Sequence, residues 1–149
     1  MNIQKLQEDL KIDEGVKYEI YLDHLGLPTC GIGHLIVEGD EEYGQPVGTT
    51  VTGTRVNELF ESDVETVLSD CTRLYDDFYL LPEDVQLIIA NMMFNMGRPR
   101  LSKFVGMRKA IEEKDWSRAA DEMVDSRWYK QVTNRAERLV QRMRAVVTA

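Results

Sequence analysis

The sequence predicts an α+β fold that is mostly helical, and two patterns support this prediction. Through most of the 149 residues, apolar side chains recur every three or four positions, which is the spacing of the buried face of a helix. Between residues 16 and 37 the pattern changes to alternation broken by turn residues, which is typical of a small antiparallel sheet. We expect a single domain with three parts: a lobe over residues 1–53 containing one helix and three strands, a connecting helix over 54–75, and a helical lobe over 76–149.

Composition indicates a globular chain and disfavours nucleic acid as a partner. Apolar residues make up 43% and charged residues 30%, which suits a protein with a core of its own. The net charge is −8 and the isoelectric point about 4.8, whereas nucleic-acid affinity comes largely from Lys and Arg. Basic residues become dense from Arg98 onward, so the second half could still present a locally positive surface. The first 15 residues carry frequent charges and no apolar run, so we expect neither a secretory signal nor membrane insertion.

The first helix is predicted to end on an acidic side chain that faces inward. Ile3, Leu6 and Leu10 form its apolar stripe, and Glu14 continues that stripe one turn later. Gly15 follows, which is typical of the residue that terminates a helix. A carboxylate in this position is unusual, because a buried acid is costly unless it is paired or has a function.

The predicted sheet follows directly. Residues 16–23 alternate, with one face formed by Val16, Tyr18, Ile20 and Leu22 and the other by Lys17, Glu19, Tyr21 and Asp23. A turn at 24–26, a second strand over 27–31 and a third over 34–37 complete a meander. Residues 38–50 are acidic and contain Gly and Pro, so we expect a surface loop there.

The rest of the chain predicts helices. The long helix over 54–75 has a continuous apolar stripe, formed by Val56, Leu59, Phe60, Val64, Val67, Leu68 and Cys71. Residues 85–96 are apolar on nearly all sides, which indicates a central helix with methionine packing, ended by Gly97. Asp115 is expected to cap a helix that runs to Val124. The last helix is predicted from a capping box of Asn134 and Glu137 and from an apolar stripe of Leu139, Val140, Met143 and Val147.

The two cysteines, Cys30 and Cys71, lie on different predicted elements. Two free thiols fit synthesis in a reducing cytosol. We therefore expect small buried side chains rather than a disulfide or a catalytic Cys–His pair.

Glu14, Asp23 and Thr29 are the residues that suggest chemistry. Glu14 is predicted in apolar surroundings and Asp23 at the polar end of a strand, with Thr29 on the returning strand. Glycoside cleavage requires two carboxyl groups in different states, one that holds its proton and one that is ionised. Spacing alone is weak support, because most Glu and Asp pairs nine residues apart are surface charges.

Arg135 and His34 each allow two interpretations. Arg135 is predicted at the first position of the last helix, where a cation opposes the helix dipole. It is either an exposed residue with a small cost or the partner of an anion such as Glu14. His34 could serve as a catalytic acid or base. We favour the alternative, a structural imidazole paired with Asp63 on the long helix. With His24 as the second histidine, a histidine-rich zinc site is not expected.

Three separated stretches resemble the phage lysozymes, and in particular the T-even phage lysozymes. The first is Asp13-Glu14-Gly15, Tyr21-Leu22-Asp23 and residues 26–35, with the pattern Glu, eight residues, Asp, five residues, Thr, then Gly-x-Gly-His. The others are residues 91–97 and residues 126–136, in the same order along the chain. The resemblance covers nearly the whole chain and implies a lysozyme-like fold.

The resemblance also implies the site residues. Glu14 would be the general acid, and Asp23 with Thr29 would position and activate the attacking water. The reaction would be hydrolysis, with inversion, of the β-1,4 bond between N-acetylmuramic acid and N-acetylglucosamine in peptidoglycan. Leu35 and Phe94 match positions that contact sugars, and Arg135 matches a residue that pairs with the catalytic Glu. No metal or cofactor is implied.

Some features depart from this family. Met107 and Glu122 stand where T-even relatives have a small polar residue and an amide that touch substrate. The chain is also shorter before Pro82 and at its end, and it is acidic where its T-even counterpart is basic. Weaker long-range attraction to an anionic cell wall is the expected result.

The interpretation that combines these points is an endolysin. It would be a monomer made in the cytoplasm of an infected host, act on peptidoglycan after release, and depend on a separate holin. Two alternatives remain at this point. A lytic transglycosylase needs an acid but no activated water, and Asp23 and Thr29 argue against it. The other is a cell-wall-binding module that is inactive or mounted on a phage tail.

Overall fold

A computed structural model describes residues 1–147. These residues form a three-stranded antiparallel sheet and seven α-helices with one short 3-10 turn, which confirms the predicted α+β class. In chain order the elements are α1 (Ile3–Glu14), β1 (Lys17–Leu22), β2 (Pro28–Gly31), β3 (His34–Leu35), α2 (Gly53–Leu74), the 3-10 turn (Phe78–Leu80), α3 (Glu83–Leu101), α4 (Val105–Glu112), α5 (Trp116–Val124), α6 (Arg127–Gln131) and α7 (Thr133–Arg144). Thr148 and Ala149, the last two residues of the predicted helical lobe, lie outside the described residues.

The chain divides into two compact units. Residues 4–66 form what we call the N-terminal unit, and residues 1–3 with the chain from Val67 onward form the C-terminal unit. The division falls within α2. In the N-terminal unit the strands lie in the order β1-β2-β3. The core of this unit includes buried apolar side chains from α1, from the sheet and its turn, and from α2: Leu6, Leu10, Ile20, Ile32, Val56 and Phe60.

The predicted alternation of β1 is only partly right. Ile20 is fully buried, but Tyr18 and Leu22 are 57% and 54% exposed. The register shifts between Lys17 and Tyr21, so the strand does not present one continuous inner face. The third strand is also shorter than predicted and ends at Leu35.

Residues 38–50 are more than a surface loop. Ile20 exchanges backbone hydrogen bonds with Gly48 and Thr49 at 2.8 and 2.9 Å, so the end of this segment pairs with the free edge of β1. Glu42 is only 6% exposed, and its carboxylate accepts two hydrogen bonds from Arg55 on α2, at 2.9 and 3.1 Å. This ion pair joins the loop to the helix.

The C-terminal unit is built around α3. Most residues between Val85 and Met96 are buried, including Met92, Met93 and Met96, which confirms the predicted central helix with methionine packing. Gly97 has a φ of 79° and ψ of 163°, so the helical path is interrupted at the predicted position. A short helical segment containing Pro99 then runs to Leu101.

The helix ends test the capping predictions. Asp115 accepts a hydrogen bond from the Arg118 N–H at 3.1 Å and caps α5, as predicted. The capping box of Asn134 and Glu137 is wrong, because α7 begins at Thr133 with no side-chain cap. Glu137 instead accepts hydrogen bonds from the Tyr129 hydroxyl and from Gln141.

Three smaller observations complete the fold. Val147, the last residue of the predicted α7 stripe, lies beyond the end of that helix and is 84% exposed, so the prediction is wrong there. Cys30 and Cys71 are free and buried, as predicted, and burial raises their pKa values to about 11 and about 12. Within residues 1–147, no helix combines the length and apolar character needed to span a membrane.

Candidate active site

Glu14 is the last residue of α1, where the chain reverses into the sheet. Gly15, with a φ of 72°, donates its N–H to the Lys11 carbonyl at 2.9 Å and closes the helix. The Glu14 side chain is half-buried and lies against Gly33, in the turn between β2 and β3. A Cβ on Gly33 would lie 2.4 Å from Glu14 Oε1 and 2.9 Å from its Cδ, so only glycine leaves space for this carboxyl group.

Asp23 lies directly after β1 and is fixed by the turn that it starts. Its Oδ1 accepts hydrogen bonds from the N–H groups of Leu25 and Leu27, at 2.8 and 2.9 Å. The Asp23 N–H also donates to the Leu27 carbonyl at 2.9 Å. Among residues 1–147, no group hydrogen-bonds Oδ2, and the side chain is half-exposed. One oxygen therefore orients the carboxylate and the other is open to a ligand.

Thr29 lies at the centre of the sheet, only 5% exposed. Its hydroxyl donates to the Leu27 carbonyl at 2.9 Å, so the proton is committed and the oxygen remains an acceptor. Thr29 is paired with Tyr21 on β1 and with Leu35 on β3. Leu35, expected to contact sugar, is 46% exposed.

His34 links the sheet to two carboxylates. Its Nδ1 lies 2.7 Å from Asp63 Oδ2, which confirms the contact predicted from the sequence, and its Nε2 lies 2.8 Å from Asp40 Oδ2. Burial alone would lower the pKa of His34, but hydrogen bonds to both carboxylates and their charges outweigh it and raise the pKa to about 9. The imidazole is therefore a charged connection between β3, the following loop and α2, and not a free acid or base.

Phe94 and Arg135 belong to the C-terminal unit. Phe94 is half-buried on α3. Arg135 is the third residue of α7 and not the first, and at 8% exposure it is not the exposed arginine of the first interpretation. Its Nε donates to Asn91 Oδ1 at 2.9 Å, and Asn91 is itself 1% exposed. A buried amide thus orients this guanidinium.

The two positions that depart from the family are also in the C-terminal unit. Met107 is fully buried, and Glu122 is half-buried. The Glu122 carboxyl lies against Gly106, where a Cβ would come within 2.6 Å of its Cδ.

Sequence reasoning missed three contacts, two in the N-terminal unit and one in the C-terminal unit: Gly33 with Glu14, Asp40 with His34, and Asn91 with Arg135. The signal that could have found the first contact is glycine at positions 31 and 33, because glycines within a short strand segment indicate close approach of another group to the backbone. Among the described residues, no group of three or more His, Cys, Asp or Glu side chains could hold a metal ion.

Comparison with known proteins adds independent information. A family model described as phage lysozyme matches residues 11–145. A probable T4-type lysozyme 2 of Dictyostelium discoideum is 32% identical, over 93% of this chain and 92% of that protein. The pre-baseplate central spike protein Gp5 of Enterobacteria phage T4 is 30% identical, over 90% of this chain and 26% of its own length. The endolysin of Salmonella phage P22 is 28% identical, over 75% of this chain and 73% of that protein.

Proposed function

We propose a function on the premise that this chain belongs to the phage lysozyme family and is a glycoside hydrolase. The proposed reaction is hydrolysis of the β-1,4 bond between N-acetylmuramic acid and N-acetylglucosamine in peptidoglycan. Relatives named lysozyme, peptidoglycan hydrolase and endolysin support this substrate. The observation that carries the proposal is the pair of differently placed carboxyl groups: Glu14 half-buried over Gly33, and Asp23 fixed at one oxygen and open at the other.

Glu14 is the general acid in this proposal. Its carboxyl lies at the end of α1 against Gly33, where any side chain larger than hydrogen would collide with it. Proton donation to the leaving glycosidic oxygen is what a half-buried carboxyl can supply to a reaction with an oxocarbenium-like transition state.

Asp23 and Thr29 hold the attacking water. The open Oδ2 of Asp23 accepts one proton of that water as it attacks. The Thr29 oxygen accepts a hydrogen bond from the other O–H of that water, which stays on the new hydroxyl group, because the Thr29 proton is already directed to the Leu27 carbonyl. Attack by water on the face opposite the leaving group inverts the anomeric centre.

Leu35 and Phe94 are proposed to contact the sugars. Leu35 is supported by its exposure and by its pairing with Thr29, and Phe94 by the family resemblance. The supporting role expected of Arg135 stays a prediction, for which its burial and its hydrogen bond to Asn91 provide a fixed geometry.

Digestion of purified peptidoglycan tests this function. Mass spectrometry of the released fragments should show free reducing ends of N-acetylmuramic acid, which have gained one water. Anhydromuramoyl ends would instead establish a lytic transglycosylase. Binding without release of fragments would establish an inactive cell-wall-binding module.

We also propose the endolysin role, with synthesis in the host cytoplasm and dependence on a separate holin. The relatives include both an endolysin and a central spike protein, so the two biological settings must be separated by experiment. Cells that express the chain should remain intact until their inner membrane is permeabilised with chloroform and should then lyse. Lysis without permeabilisation would contradict the need for a holin.

A further inference from the structure

One row of side chains crosses the sheet at the candidate site. Tyr21 on β1 is paired with Thr29 on β2, and Thr29 is paired with Leu35 on β3. Directly paired residues of neighbouring strands project from the same face of a sheet. Tyr21 therefore shares a face with the proposed water-holding residue and with the leucine proposed to contact sugar.

Tyr21 also lies within electrostatic range of both carboxyl groups. Burial raises the pKa of its hydroxyl, and the charges of Glu14, Cys30 and Asp23 raise it further. The phenol is therefore neutral at pH 7, and a neutral phenol is a hydrogen-bond donor.

The Tyr21 hydroxyl makes no hydrogen bond within the described residues, whereas the hydroxyl of Tyr129 is bonded to Glu137. The ring is half-buried, and Lys17 Nζ lies 4.2 Å from its centroid. A half-buried ring with a free donor, within electrostatic range of two proposed reacting groups, suits a ligand contact.

We propose that Tyr21 is a further substrate-contacting residue, whose hydroxyl donates a hydrogen bond to an oxygen of the sugar bound at the cleavage point. The acceptor is a ring hydroxyl or the carbonyl of an N-acetyl group. The ring gives this contact its position, and its shared face with Thr29 and Leu35 makes the three residues one surface for a single sugar. This inference rests on the proposed function.

Replacing Tyr21 by Phe removes only the hydroxyl. Binding is measured in a Glu14→Gln background, with a soluble tetrasaccharide of alternating N-acetylglucosamine and N-acetylmuramic acid as the probe. We expect about three- to tenfold weaker binding on adding Tyr21→Phe, as for the loss of one hydrogen bond. Tyr18→Phe, at a 57% exposed tyrosine of the same strand, is the matched control and should leave binding unchanged.

Thermal melting distinguishes the loss of a substrate contact from a structural defect in the variant. Tyr21→Phe should melt within about 2 °C of its parent. Binding equal to the parent within twofold would overturn the proposal, as would a weakening accompanied by a melting temperature lowered by more than about 5 °C. If the Glu14→Gln parent does not bind the tetrasaccharide and the wild type does not cleave peptidoglycan, the proposed function fails instead, which is a separate result.

Discussion

Gly33 connects backbone conformation to chemistry at the scale of one residue. Its φ of 61° is strained for any side chain, and an added methyl group would collide with Glu14. We expect Gly33→Ala to lower the free energy of unfolding by at least about 1–2 kcal/mol and to displace the proposed acid. Urea denaturation and peptidoglycan cleavage measure the two effects.

Gly44→Ala is the control for this prediction. Gly44 has a similar φ, 82°, but a Cβ there would meet no atom within 4 Å. Gly44→Ala should therefore lose stability from backbone strain while keeping its activity. If Gly33→Ala loses no more activity than Gly44→Ala, the contact with Glu14 has no catalytic importance.

Glu14→Gln keeps the side-chain shape and removes the transferable proton. General acid catalysis typically contributes 10²–10⁴-fold, so we expect the rate to fall at least about 100-fold while the fold and glycan binding persist. Asp23→Asn should also be severe, and Glu19→Gln, on an exposed part of β1, should be mild. Retention of more than about a tenth of the activity by a folded Glu14→Gln variant would rule out Glu14 as the acid.

At the scale of elements, His34 joins β3 to α2 through a charge. Its pKa is about 9 in the folded chain against an ordinary 6.5, so protonation favours the folded state. The stabilisation is fully present below pH 6.5 and is lost as the pH rises through 9. Raising the pKa by this amount corresponds to a stabilisation on the order of 3 kcal/mol.

The test compares His34→Asn with the wild type by urea denaturation at several pH values. We expect the variant to be less stable at pH 6 and the difference to shrink by pH 10. His24→Asn, in the exposed turn after β1, is the control and should leave the stability at pH 6 unchanged. A difference between His34→Asn and wild type that is constant with pH would show that packing, not charge, is lost.

Substitutions of Asp115 at the start of α5 can distinguish the stabilising effect of its capping hydrogen bond from that of its charge. Asp115 accepts the Arg118 N–H, so Asp115→Ala should lower the free energy of unfolding by about 1 kcal/mol. Asp115→Asn keeps a capping oxygen without the charge and should retain most of that stability. Equal losses in the two variants would assign the effect to the ion pair with Arg118.

At the scale of the whole molecule, we expect the net charge of −8 to slow approach to an anionic cell wall. Screening extends to about 10 Å at 0.1 M salt, so moderate salt should relieve the repulsion. We expect the cleavage rate to rise from very low salt to about 0.1 M before any fall. A rate that falls steadily from the lowest salt concentration would show that a local basic surface controls approach.

Periodicity was sufficient to predict the small sheet and the helices α1, α2, α3 and α7, because buried apolar positions repeat with the geometry of each element. It failed where contacts are not local. The face of β1 depends on a register shift, and Glu137 of the predicted capping box accepts a hydrogen bond from the Tyr129 hydroxyl instead of capping α7. Glu14 and Asp23 could be predicted as candidate catalytic residues from their positions and the family pattern. The contact between Gly33 and the Glu14 side chain became evident only in the structure.

The central claim is that Glu14 protonates the glycosidic oxygen while water held by Asp23 attacks the anomeric carbon. The anomeric configuration of the new reducing end tests it most directly, measured by proton NMR in the first minutes of digestion, before mutarotation. We predict the α-anomer of N-acetylmuramic acid, from single inversion of a β-linked strand. Initial release of the β-anomer would contradict the account, because it requires double displacement through a covalent intermediate.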